Sequence, residues 1–133
     1  MGKPPLVERA EERGLVCAPE LAALGLVLAG ERGRTRVGTT IAALAPWIAS
    51  ALPPGVPLFV AGAEPVPEDP DVRRVETLEA EAPYDLLAVD GGRVAGLLVP
   101  GGIALVAGVA EEEAGIASAT VGRGLTLVVR LRL

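Results

Sequence analysis

From Val37 to Ala63 the chain carries no charged side chain. A run of this length has two outlets, a membrane span or burial on both sides of a folded element. Pro53-Pro54-Gly55 and Pro57 cut the run, and no Lys/Arg cluster flanks it. It therefore predicts a buried helix over roughly Ile41–Leu52, a turn, and a buried strand over Leu58–Ala63. Pro46 fits that helix only in its first turn or at a kink.

The rest of the chain alternates in the same way. Pro4–Arg13 has Leu6, Val7 and Ala10 on one side and stops at Gly14, which predicts a short amphipathic helix. Pro19 opens a second helix, Glu20–Ala29, apolar nearly all round. Thr35–Val37 is a short strand candidate and Val72–Thr77 a weaker one. Tyr84–Asp90 (YDLLAVD) and Ile103–Val109 are continuous apolar runs of the kind that fill a parallel sheet buried on both faces. So few residues separate Asp90 from Gly102 that any helix between them is minimal. Glu111–Ala117 predicts a short helix with three acids in its first turn. Ala119–Leu133 predicts a hairpin turning at Gly122-Arg123-Gly124. The order is that of a single three-layer α/β domain, mostly parallel, closed by an antiparallel pair.

Composition narrows the chemistry. Of 133 residues none is His and one is Cys, Cys17. That excludes Ser-His-Asp and Cys-His machinery, a zinc site built on His or paired Cys, and an internal disulfide. Cys17 reads as a small buried residue. The net charge of -5 argues against nucleic acid as a partner. The N-terminus, MGKPPLVERAEERG, has no apolar signal core, so the expectation is a cytoplasmic protein that does not insert into a membrane.

Several segments, taken in order, resemble the class I S-adenosylmethionine-dependent O-methyltransferases of the catechol O-methyltransferase-like type. APELAALGLVLA resembles the family's N-terminal helix, and VGTTIAALAPWIASALPPG its first strand, Gly-Thr turn and following helix. LFVAGAEP resembles strand two, YDLLAVDGG strand four, LLVPGGIALVAGV the Pro-Gly-Gly turn and strand five, and VGRGLTLVVRL the closing hairpin. The resemblance implies a Rossmann-like sheet of order 3-2-1-4-5-7-6, with the cofactor at the carboxyl ends of strands one and four.

It also implies site residues. Gly38 and Thr39 match the family's first motif, but Arg36 stands at its acid position and Ala42 at its second glycine. The acid that ends strand two in the family falls on Gly62. Glu64, one pleat further on, reads either as a slipped ribose ligand or as a loop acid beside Glu68 and Asp69. Asp90 matches the acid ending strand four, and reads either as a site residue or as a cap on the following helix. Ala107 and Gly108 stand where metal-dependent members carry an Asp-Asn pair, so no metal is expected. No His or Lys stands in place of the family's base. Tyr84 and Asp85 read as structural, and Trp47 as core. A crossover helix between strands two and three is replaced by seven Pro-rich, acidic residues. This predicts that strand three is not parallel or that the sheet loses an edge element. It also predicts an uncovered face on strand two, covered by a second copy or another protein.

Two functions follow from the resemblance. One is a methyltransferase-like protein degenerate in cofactor binding, acting as a non-catalytic interaction partner or dimer. The other is a small, metal-independent O-methyltransferase in which Gly38, Thr39, Glu64 and Asp90 line an S-adenosylmethionine site.

Overall fold

The computed structural model of the chain describes residues 3–62, 66 and 69–132. Seven strands form one sheet: β1 (Val37–Thr39), β2 (Leu58–Ala61), β3 (Val72–Val75), β4 (Tyr84–Val89), β5 (Leu98–Ala107), β6 (Ile116–Gly122) and β7 (Leu125–Arg130). Their order is β3-β2-β1-β4-β5-β7-β6. The first five are parallel, and β7 and β6 join antiparallel. The architecture is the Rossmann-like α/β sheet that the sequence predicts.

Three helices cover one face: α1 (Pro5–Glu12), α2 (Pro19–Ala29) and α3 (Ala45–Ala51). Each opens with a proline in its first turn, where the missing N–H has no intrahelical partner to lose. Pro46 therefore starts α3 rather than kinking it, and α3 begins later than the apolar run alone suggests. Leu21, Leu28, Leu44 and Ile48 pack here on Val37, Leu58, Val60, Leu86 and Leu105.

No described α-helix lies on the other face. Two 3-10 turns, Leu78–Glu81 and Ala95–Leu97, stand in its place. With the loops beside them they bury Phe59, Tyr84, Leu87, Ala104, Val106 and Val128. The turn at Ala95–Leu97 is the minimal β4–β5 connection that the spacing demands.

Three expectations are corrected. First, β3 is parallel to β2, with Leu58 opposite Val72. Because β2 has only four residues, the return path is about 13 Å, a distance that ten residues are long enough to span. The Asp71 carbonyl then accepts from Leu58 N at 2.8 Å, while Asp69 Oδ1 accepts from Asp71 N at 2.9 Å and turns the chain into β3. Second, the face of β2 is not bare. Phe59 is 3% exposed, edge-on to Tyr84 with ring centroids 6.0 Å apart. The guanidinium carbons of Arg36 and Arg73 lie 5.3 and 5.9 Å from its ring centroid, so cations and an aromatic edge replace the absent helix. Third, residues 111–115 are not helical, and Ile116 already belongs to β6. Glu113 is committed elsewhere: its carboxylate accepts from Val94 N at 2.9 Å and Ala95 N at 3.3 Å, the free donors that open the second 3-10 turn.

No described helix is long and apolar enough to cross a membrane.

Candidate functional site

In an open α/β sheet ligands settle at the carboxyl ends of the strands, where the strand order reverses. Here that point lies between β1 and β4. A cleft of ≈ 430 Å³ flanks α2 on the helical face, but a second, of ≈ 480 Å³, sits at the switch point. Both fall in the range of about 300–1,000 Å³ typical of small-molecule sites. The second is lined from four strand ends: Thr40 after β1, Ala61 and Gly62 at β2, Glu76 and Thr77 after β3, and Val89 to Arg93 after β4.

Asp90 lines this cleft, at the end of β4. It does not cap the next turn, whose N-terminal flank is Val94. Instead Thr40 Oγ1 donates to Asp90 Oδ1 at 3.1 Å, and Asp90 N donates to Thr40 Oγ1 at 3.2 Å. The pair staples the loop after β1 to the end of β4. Gly91 and Gly92 follow with φ of +142° and +92°, a backbone that only glycine adopts freely, and swing the chain around the cleft.

Gly38 and Thr39 are placed differently. Both are buried within β1, and neither lines the cleft. A Cβ on Gly38 would lie 2.9 Å from Tyr84 Cε1 and 3.1 Å from Leu87 Cδ2, so glycine here makes room for Tyr84. Thr39 Oγ1 accepts from Ile41 N at 3.0 Å and shapes the turn out of the strand. Glu64 lies outside the described residues.

The positions where the chain departs from the family motif have structural partners. Arg36 Nη1 donates to the Glu81 carbonyl at 2.6 Å and to Glu81 Oε2 at 3.2 Å, while its side chain stacks on Phe59. The Gly62 carbonyl accepts from Arg74 Nη2 at 2.6 Å. Ala42, in place of the second glycine, is half-buried. Tyr84 and Asp85 are structural, as read from their place at the start of β4. Tyr84 is fully buried and its hydroxyl donates to the Leu78 carbonyl at 2.7 Å. Burial, reinforced by the charge of Glu81, pushes its phenol up to about 12. Asp85 Oδ1 accepts from Arg36 N at 2.8 Å and Thr35 N at 3.3 Å. Cys17 is buried, and burial pushes its thiol up. Trp47 is half-buried against the helical core.

Electrostatically the cleft is acidic. Among the described lining residues Glu76, Glu79 and Asp90 stand against Arg93, whose Nε lies 3.4 Å from Glu111 Oε2, while Arg74 reaches the lining from outside through the Gly62 carbonyl. Among the described residues no group of three or more Asp, Glu or Cys side chains is placed to hold a metal ion. Such a cleft favours a ligand with hydroxyls or a positive charge. Sequence reading passed over Thr40, Glu76 and Thr77. The signal for them was positional: each polar residue lies at or just beyond the carboxyl end of a strand candidate, at the edge where such sheets bind ligands.

No family model and no curated sequence matches the chain. Solved structures do. The cofactor-bound Rv0187 from MTB superposes with a TM-score of 0.71 at 16% identity, covering 98% of this chain and 91% of that one. An O-methyltransferase from Bacillus cereus in complex with SAH gives 0.69 at 11% identity, covering 99% and 93%. The O-methyltransferase TomG from Streptomyces achromogenes, in complex with SAM, gives 0.68 at 16%, covering 98% and 92%. The chain shares their fold.

Proposed function

We propose that this protein keeps the O-methyltransferase scaffold without its methyl-transfer function and acts through interaction with another protein chain. The observation that carries this reading is Gly62, at the carboxyl end of β2 on the wall of the switch-point cleft. Arg36, at the position where the resemblance implies an acid, instead precedes β1 at the opposite end of the sheet, tied to Glu81 and stacked on Phe59. Gly62 replaces the ribose acid, and its carbonyl is held by Arg74. A Cβ stands at Ala42 where the motif has a bare backbone. These residues do not fit S-adenosylmethionine as the resemblance would have it bound, and no His or Lys stands among the described cleft residues.

The acidic cleft favours a second reading. Asp90 and Thr40 at the switch point, with Glu76 and Thr77 opposite, suit a cationic, hydroxyl-bearing ligand, and S-adenosylmethionine is both. In that case the chain is a small, metal-independent O-methyltransferase. Methyl transfer depends mostly on alignment of nucleophile and methyl group.

Thermal unfolding with saturating S-adenosylmethionine or S-adenosylhomocysteine separates the two. A ligand at a hundred times its dissociation constant stabilises by about 2.7 kcal/mol. No displacement of the midpoint is expected, and a clear rise overturns the first reading in favour of the second.

A further inference from the structure

We propose that the outward face of α2 is a self-association surface, on which a second copy of this chain docks its own α2 antiparallel about a two-fold axis. The helix runs from Leu21 to Ala29 without a charge. Its inner side packs on the core, yet apolar residues continue around the outside. Ala23 and Val27 are exposed, Val27 to 65%, and Val16 just before the helix is exposed to 67%.

Two observations select a second copy as the occupant. The first is shape. The cleft of ≈ 430 Å³ beside α2 is lined by Val16, Cys17, Pro19, Ala23, Leu26 and Trp47 together with the ion-paired Lys3 and Glu11, so it is weighted toward the N-terminal half of the helix and reaches Leu26. Val27 projects from the C-terminal half. Antiparallel pairing sets the C-terminal half of one helix against the N-terminal half of the other, so each Val27 enters the partner's groove. Knob and hole on one surface are what a two-fold interface requires. The small residues Ala23 and Gly30 on this side let the axes approach to about 8 Å.

The second is charge. Glu20 precedes the apolar stretch and Arg32 follows it. Both are exposed, and neither forms an ion pair among the described residues. Antiparallel pairing brings each Glu20 to the partner's Arg32, and the opposed helix dipoles also attract.

Sedimentation velocity of the full chain at micromolar concentration tests this. Wild type is expected to sediment as two chains. Val27→Glu is expected to raise the dissociation constant at least about a hundredfold, to a single-chain species with unchanged circular dichroism. Glu20→Arg and Arg32→Glu are each expected to weaken the pair, and the double exchange to restore it. A single-chain wild type overturns the proposal. So does a dimer that withstands Val27→Glu and is lost instead on Thr120→Pro, because the interface then lies at the β6 edge. Failure of the double exchange to restore pairing overturns the antiparallel register.

Discussion

Gly38 carries two competing assignments, and Gly38→Ala decides between them. As part of a cofactor cradle, glycine would leave backbone open to a ligand. In the fold it leaves room for Tyr84. A methyl carbon would lie 2.9 and 3.1 Å from Tyr84 Cε1 and Cδ1, and 3.1 Å from Leu87 Cδ2. Ordinary carbon contacts sit near 3.5–4.0 Å, so three contacts fall inside the repulsive wall. Tyr84 and Leu87 are both fully buried, and the phenol is tied to the Leu78 carbonyl at 2.7 Å. The ring can retreat only by giving up that bond. Overpacking costs about 1–3 kcal/mol, and a buried carbonyl left without its donor about 1–3 more. The lower chain entropy of unfolded alanine returns about 0.4–1 kcal/mol. A net loss of about 3 kcal/mol is expected, read in urea as a midpoint lower by about 1 M or more at unchanged slope. Tyr84→Leu in the same background should relieve the clash, giving a coupling above about 1 kcal/mol in a double-mutant cycle. A Gly38→Ala protein within about 0.5 kcal/mol of wild type refutes the packing assignment.

Two further outcomes follow from the same region. Tyr84 is the sole tyrosine, so its phenolate absorbance reports one site. Native protein should titrate near 12 and unfolded protein near 10. The stability from keeping this phenol neutral is complete below pH 10 and is lost as pH rises to about 12, because the unfolded chain gives up its proton first. A native titration near 10 refutes the burial argument. Glu113→Ala removes the acceptor for Val94 N and Ala95 N, and these two amides should exchange with solvent at least about tenfold faster, while those of β4 keep their protection.

The sheet was legible because burial on both faces writes itself into composition. The runs Tyr84–Asp90 and Ile103–Val109 hold few polar residues; β5 nonetheless starts earlier, at Leu98, and carries the expected Pro100-Gly101-Gly102 turn inside it, where the register against β4 shifts. The polar connections were less legible. Nothing local in Pro65–Asp71 reveals that the strand after it pairs parallel to β2. Three consecutive acids after Ala110 suit a helix start equally well, until a distant pair of amides claims Glu113. The site was legible only in part. Asp90, matched through the resemblance to the acid ending strand four, does line the switch-point cleft. Gly38 and Thr39 matched a motif but are buried, because a motif specifies residue types and not which side of the strand they serve.

The thin layer over Phe59, Tyr84 and Leu87 has a mechanical consequence. Leu78 and Leu97 belong both to that covering and to the wall of the switch-point cleft. In many α/β proteins a helix seals the core, and a separate loop above it is free to swing as a lid. Here the two 3-10 turns do both. Moving either outward would wet the buried layer beneath, Leu87, Val89 and Val106, so widening this side of the cleft costs core burial.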